Sequence, residues 1–390
     1  MRSLLVTLHR WLGLFIAVFL FIAGLTGALI AWDHELDSWL NPAFYHTQTH
    51  GDMQSPLVLA NRIEAANPGM QISYLPLGLE PGEVLSARVE TIDGSDPQFN
   101  EVFVDPYSGQ LIASRLWGEF SLNCENLIPF LYKLHYSMHL PNIGSLEFGL
   151  FFMGIIGIVW AIDCFVALWI SFPNLQSWRK SFTFRWKQGG HKLIFDLHRS
   201  GGVWIWGLLL MMAVTSISMN LNYQVMRPVV AQFSKLSPSV LDMRSQHLGE
   251  TGLKRVSREQ IVQEAKAEAE RRGWQSPAGG IYFSGLLGLY GVGFFEPGMG
   301  HGDGGLGNPW LYFDAFDGKL VGENIPGAGS TGDIFLQAQF PLHSGRILGI
   351  AGRVMVTALG SLIAVLSLTG IIIWAKKRVS RNRIFKLAFV

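Results

Sequence analysis

Four stretches of this chain are too long and too apolar to belong to an ordinary water-soluble fold. Residues 12–32, 201–223 and 354–374 carry no charged side chain, and residues 148–170 carry one, Asp163. A helix that crosses a bilayer needs roughly 20 such residues, so each stretch reads as a transmembrane helix. The first is too long for a signal-peptide core and lacks a small-residue cleavage pattern, so it reads as a retained span. With 49% hydrophobic and 15% charged residues over 390 positions, the chain still has a large polar remainder. That remainder implies substantial parts outside the membrane.

Charge placement predicts the orientation. The connection between the second and third spans holds Arg179, Lys180, Arg185, Lys187 and Lys192 against one acid, Asp196. The tail holds Lys376, Lys377, Arg378, Arg381, Arg383 and Lys386 and no acid. The positive-inside rule therefore puts both termini and the short loop in the cytoplasm. The two long connections then lie outside, in the periplasm if the membrane is a bacterial inner membrane. Cys124 and Cys164 fall in an outer segment and inside span two, so a disulfide is not expected, and no Cys-x-x-Cys occurs.

The chain is also a repeat. His9, Gly13 and Thr26 recur 189 positions later as His198, Gly202 and Thr215. "KLHYSMHLPNIG" (133–144) aligns without gaps to "PLHSGRILGIAG" (341–352), matching His135 to His343 and Gly144 to Gly352. Each half reads span, outer segment, Leu-His, span, which makes a parallel repeat about an axis along the membrane normal. The outer segments repeat as well. "VFVDPYSGQLIA" (102–113) and "LYFDAFDGKLVG" (311–322) both read as strand, turn, strand. Ser257 and Gln260 open a helix that Gly273 closes, and a weaker helix lies around 57–66. The fold class is thus mainly α: a four-helix transmembrane bundle built as a parallel two-fold repeat, with two α+β modules outside. The boundaries are span one 1–32, module one 33–134, span two 135–172, basic loop 173–197, span three 198–225, module two 226–342, span four 343–375 and basic tail 376–390.

The repeat delivers histidines in pairs. His9 and His198 open spans one and three on the inner side, and His135 and His343 precede spans two and four on the outer side. A single interfacial histidine is ordinarily an anchor or a hydrogen bonder. Two matched pairs fit bis-histidine ligation of two b-type haems, in which each neutral imidazole binds iron through one nitrogen. Trp11, Phe15, Phe151, Phe152, Trp160, Trp204 and Trp206 would line the slots, and Gly13, Gly144, Gly202 and Gly352 would allow close approach. Zinc would need a third and fourth ligand that the pairs do not offer. His139 lies four residues after His135 and is the alternative outer ligand or a substrate-facing group. His34 reads as interfacial and His191 as solvated. Asp163 is the one carboxylate inside a span, a candidate for carrying a proton, for bonding a ligand histidine, or for a buried structural role.

"LHRWLGL", "ELDSWLNP" (35–42), "VDPYSG" (104–109), "DLHRSGG" (196–202) and "PLHSG" (341–345) resemble the PepSY-associated transmembrane helix family over nearly the whole chain. Span two departs from that family's small-residue pattern at "AIDCFVALW" (161–169). Within the family the chain is similar to inner-membrane ferric-siderophore reductases that act on ferrioxamine. The resemblance implies PepSY-like outer modules and a di-haem b enzyme passing electrons to a periplasmic ferric siderophore of hydroxamate type, with His9, His198, His135 and His343 as ligands. One-electron reduction softens the iron, and hard oxygen ligands then release it.

The glycine-rich, aromatic stretch 285–310 is the expected docking loop, with Tyr290, Phe294, Phe295, Met299 and Trp310 as contacts; a plain strand hairpin is the alternative. Glu296, His301 and Asp303 form only a weak metal pattern. No Gly-x-Gly-x-x-Gly directly follows a strand, the cytoplasmic parts are too short for a flavin domain and no feature points to nucleic acid, so electrons must come from a separate donor, a cytoplasmic reductase or quinol. Membrane lipid is the other partner of the basic loop. A non-redox transporter of an iron chelate, and a protein-binding or protease-inhibiting role for the outer modules, are the competing functions.

Overall fold

The computed structural model describes residues 1–240, 255–300 and 302–387. Three helices among them are long and apolar enough to cross a membrane: Arg2–Ile30, Phe148–Ser171 and Arg346–Ser380. A fourth crossing exists if the bent pair Gly190–Trp204 and Trp206–Asn220 is one span. The molecule is a mainly helical membrane protein with an antiparallel sheet attached.

In chain order, α1 is Arg2–Ile30, α2 Asp33–Leu40, α3 Pro42–Tyr45 and α4 Pro56–Ala66; strands β1 (Met70–Pro76), β2 (Leu85–Thr91), β3 (Glu101–Val104) and β4 (Leu111–Arg115) follow. Helices α5 (Cys124–Ser137), α6 (Phe148–Ser171), α7 (Gly190–Trp204), α8 (Trp206–Asn220) and α9 (Arg227–Val230) come next. The second half continues with α10 (Arg258–Arg271), β5 (Ala278–Ser284), β6 (Leu289–Phe294), β7 (Trp310–Asp314), β8 (Leu320–Asn324), α11 (Thr331–Gln337), α12 (Gln339–Ser344) and α13 (Gly349–Leu387).

The expected span three is not straight. α7 and α8 meet at Ile205 with a bend of 70°. The break is held by two indoles: Trp204 Nε1 donates to the Phe182 carbonyl at 3.0 Å and Trp206 Nε1 to the Cys164 carbonyl at 2.9 Å. His198 therefore lies on α7, ahead of the bend. Span two also starts later than expected. α5 ends at Ser137, and α6 begins only at Phe148, so His135 stands on its own helix outside the span.

The bundle packs through small residues. A Cβ on Gly24 would lie 2.6 Å from the Gly360 carbonyl oxygen, and one on Gly360 would lie 2.5 Å from the Gly24 oxygen. Gly24 and Ala28 of α1 thus cross Gly360 and Ala364 of α13 backbone to backbone, the close approach that small residues four apart permit. Span two supplies Gly154 and Gly157, which receive Leu221 and Ile217 from the α8 end. Gly13, Gly144 and Gly202 are not such contacts: Gly13 meets only Asp163 Oδ2 at 3.9 Å, and the other two face nothing within 4 Å. Gly352 does pack tightly, against Gly345.

The strands of the two expected modules form one sheet. Eight antiparallel strands run in the order β4-β3-β2-β1-β5-β6-β7-β8, so the halves join edge to edge through Tyr74–Pro76 against Gly280–Tyr282. Alternation does the work locally: in β2, Leu85, Ala87 and Val89 are buried and the residues between them are not. α4 buries Leu59, Ala60 and Ile63, and α10 buries Ile261, Val262, Ala265 and Ala269, against one shared core. Burying each of the larger aliphatic side chains contributes about 1.5–3 kcal/mol. Ser257 caps α10 by accepting from the Gln260 N–H at 3.2 Å.

Both repeated hairpins turn on an aspartate. Asp105 Oδ1 accepts from the Tyr107 and Ser108 N–H groups, each at 2.9 Å, and Asp314 Oδ1 accepts from Phe316 and Asp317 at 2.7 and 3.0 Å. Gly109 and Gly318 then take φ of +73° and +74°, which a side chain would disfavour. Arg115 ties the sheet to the bundle. Its guanidinium donates to Glu101, to both oxygens of Asp37 on α2 and to the Glu125 carbonyl on α5.

Candidate functional site

The four matched histidines come together as two pairs. At the end of the bundle nearest the sheet, His135 of α5 and His343 of α12 have ring centres 6.1 Å apart, with planes at 62°. At the far end, His9 of α1 and His198 of α7 are also 6.1 Å apart, at 44°. A metal–imidazole nitrogen bond is about 2 Å, so two imidazoles on opposite sides of one ion have their centres roughly 6 Å apart.

The hydrogen bonds assign the role of Nδ1 in each ring. Thr26 Oγ1 donates to the Ile22 carbonyl at 2.8 Å, one turn back, which commits its only proton. His135 Nδ1, 3.1 Å from that oxygen and 3.0 Å from the Ala23 carbonyl, must therefore be the donor. The matched Thr215 donates to Met211 and accepts from His343 Nδ1 at 2.8 Å. At the far end, Thr369 donates to Val365 at 2.8 Å, and His198 Nδ1 donates to Thr369 Oγ1 at 3.2 Å and the Leu366 carbonyl at 3.0 Å. His9 Nδ1 bonds both oxygens of Asp163, at 2.9 and 3.0 Å. In all four rings Nδ1 carries the hydrogen toward the protein, and among the described residues none bonds an Nε2 of these four. In the neutral tautomer each ring then presents Nε2, with its lone pair, to a metal.

Two glycines shape the cradle. A Cβ on Gly27 would lie 2.8 Å from His135 Cε1, and one on Gly370 would lie 3.0 Å from His198 Cε1. Among the described residues, no group of three or more His, Cys, Asp or Glu could hold a metal ion. Each pair thus offers two nitrogens to one ion. A haem, whose ring supplies the other four nitrogens, matches that donor set; a bare zinc ion does not.

The other sequence candidates fall elsewhere. His139 is not on the helix with His135: Met138 and His139 both take φ of +53°, beyond the end of α5. Its Nε2 is engaged with the Phe130 carbonyl at 3.0 Å, and its ring stacks on Phe130. His34 lies edge-on to Tyr45, and His191 is exposed. Asp163 is buried and bonds His9 Nδ1. Of the aromatic lining, Phe152 and Trp160 pack in the bundle interior, whereas Trp11, Phe15, Phe151 and Trp204 are exposed. Cys124 is exposed, Cys164 is buried and both are free.

The docking-loop expectation needs correction. Tyr290, Phe294 and Phe295 are buried, the first two in the core between sheet and helices, because β6 is an interior strand. Only Met299 and the partly exposed Trp310 remain accessible. His301 lies outside the described residues. The loop itself reaches the sheet-side pair: Arg346, three residues after His343, donates to Asp303 at 2.6 Å, and the Gly304 and Gly305 N–H groups donate to the Arg346 and Ile347 carbonyls at 2.8 and 3.1 Å. The threonines, Gly27 and Gly370 were missed as site residues. Thr26 and Thr215 could have been found, since they recur at the same offset as the histidines they hold.

No curated protein matches the chain. Residues 6–377 match the PepSY-associated TM region family, and the chain belongs to that family.

Proposed function

We propose that this protein is a di-haem b reductase of the bacterial inner membrane that passes electrons outward to a periplasmic ferric siderophore. One observation carries the reading: four imidazoles in two pairs, each with ring centres 6.1 Å apart and each with Nδ1 held by the protein and Nε2 left bare. His9 with His198, and His135 with His343, would hold the two haem irons. Bound haem supplies one-electron carriage between ferric and ferrous states. The chain's own part is to present neutral imidazoles at fixed orientation, through Thr26, Ala23, Thr215, Thr369, Leu366 and Asp163.

In this reading the four spans form a parallel repeat with both termini and the basic loop cytoplasmic, and the sheet lies in the periplasm. A cytoplasmic reductase or quinol is oxidised at the His9 end. Each ferric ion takes one electron and becomes ferrous; a quinol gives two electrons and two protons and so serves two ferric ions. Hydroxamate oxygens hold ferrous iron far more weakly, which releases it. The ferric chelate would dock where the glycine-rich loop, with exposed Met299, meets Arg346 beside His343.

The test is the absorption spectrum of the detergent-purified protein, oxidised and dithionite-reduced, with haem counted per chain, followed by reduction of a ferric hydroxamate by the reduced protein. Two low-spin b haems and stoichiometric ferrous release are the expected result. A chain that stays haem-free when haem is supplied overturns the reading in favour of non-redox transport of an iron chelate.

A further inference from the structure

The two histidine pairs are alike in spacing but not in what holds them. His135, His198 and His343 each donate Nδ1–H to neutral oxygens, from threonine hydroxyls or backbone carbonyls. His9 alone faces a carboxylate, with both Asp163 oxygens within 3.0 Å of Nδ1. Asp163 is buried, and so are the α6 residues Cys164 and Gly157 near it on that helix. Among the described residues, no carboxylate bonds any other member of the pairs, and the last span, residues 354–374, contains none at all.

A carboxylate that accepts the Nδ1 hydrogen gives the imidazole more anionic character, so its Nε2 becomes a stronger donor to a metal. A stronger donor favours the ferric over the ferrous ion. The negative charge of Asp163, set in a low-dielectric helix bundle, acts in the same direction. Threonine and carbonyl acceptors do this far less. Resting on the di-haem reading above, we propose that Asp163 is a positioning residue that makes the His9–His198 site the lower-potential of the two. Electrons entering there then run downhill to the His135–His343 site beside the sheet, so the aspartate favours the internal step, while the donor and the ferric acceptor fix the net direction.

The experiment is a spectroelectrochemical titration of the full-length, haem-loaded protein. Two separate one-electron waves are expected. Asp163→Asn should keep two haems, move the lower wave upward toward the higher one and leave the higher wave in place; Asp163→Glu should restore the separation. An unmoved lower wave in Asp163→Asn with two haems, or movement of the higher wave instead, overturns the proposal. If Asp163→Asn loses a haem, the remaining wave decides, as does the single wave of His9→Ala. It must coincide with the higher wave of the parent, and coincidence with the lower one refutes the assignment. Absence of haem from the parent protein would instead refute the di-haem reading itself, so the two failures are distinct.

Discussion

On the di-haem reading, adding one methyl group at Gly27 should remove the sheet-side haem and leave the far one. The new Cβ would stand 2.8 Å from His135 Cε1 and 3.3 Å from Nδ1. Carbon atoms rest about 3.5–4.0 Å apart, so the ring must retreat by roughly 0.7–1.2 Å. Its Nδ1 bonds to Ala23 and Thr26 span 3.0 and 3.1 Å. A retreat of that size carries both past the usual limit of about 3.5 Å. Each lost bond costs about 0.5–1.5 kcal/mol, and overpacking adds about 1–3 kcal/mol. At about 1.4 kcal/mol per tenfold, a combined loss near 3 kcal/mol weakens haem retention at that site by roughly two orders of magnitude. Helix propensity acts the other way, since alanine favours a helix over glycine by about 1 kcal/mol. Folding should therefore survive while one cofactor is lost. Gly370→Ala makes the reciprocal case: its Cβ would lie 3.0 Å from His198 Cε1, a smaller overlap, so the far haem is weakened by about tenfold. Haem per chain and redox titration measure both. Two fully retained haems in Gly27→Ala, or loss of the far haem instead, would refute the reasoning.

Substituting His135 or His343 by alanine should leave one haem, whereas His139→Ala should leave two, because His139 is turned to the Phe130 carbonyl; haem counting decides. Gly24→Leu or Gly360→Leu should destabilise the whole bundle, since each backbone there touches the other helix's carbonyl oxygen directly. The expected cost is at least 1–3 kcal/mol, on the order of an overpacked core, read as a lower midpoint in thermal unfolding in detergent. Asp105 gives a pH dependence. Burial alone would raise its pKa, but hydrogen bonds from Thr47, Ser108, Thr49 and Tyr107 outweigh that and hold it well below the ordinary carboxylate value. Its contribution to stability is thus present above the unfolded pKa, near 4, and is lost as pH falls through the lower folded value. Asp105→Asn should flatten the acid side of the stability profile; an unchanged profile would count against the turn's role.

The spans, the repeat, the Asp-turn hairpins and the two module helices were legible because each is written in a local period: uncharged runs, a fixed offset, alternation, caps. What the sequence hid is relational. The bend at Ile205 lies inside an unbroken apolar run, and what stabilises it is two tryptophan N–H groups reaching carbonyls on other segments. The end of α5 after His135 depends on two non-glycine residues in left-handed backbone, which no composition signal announces. The fusion of the modules through β1 and β5 joins segments some two hundred positions apart, and strand alternation looks the same at an edge as at a seam. Tyr290, Phe294 and Phe295 read as loop aromatics because glycines surround them, although those glycines serve to admit bulky neighbours: Gly291 receives Tyr282, and Gly279 receives Phe295.

Neither half of the chain contains a complete histidine pair. Each pair takes one ring from each half, just as the sheet's central seam takes one strand from each. A site on such an axis starts with equivalent surroundings on both sides, and the sheet-side pair retains that equivalence down to the threonines, Thr26 facing His135 and Thr215 facing His343. The far pair departs from it at one point: His198 donates to Thr369 and a carbonyl, His9 to Asp163. Duplication accounts for the number and spacing of the imidazoles and for the likeness of the two rings within a pair; Asp163 is where the two rings of the far pair differ. On the di-haem reading, that buried carboxylate is what would lower the potential of the far pair and make the step toward the sheet favourable.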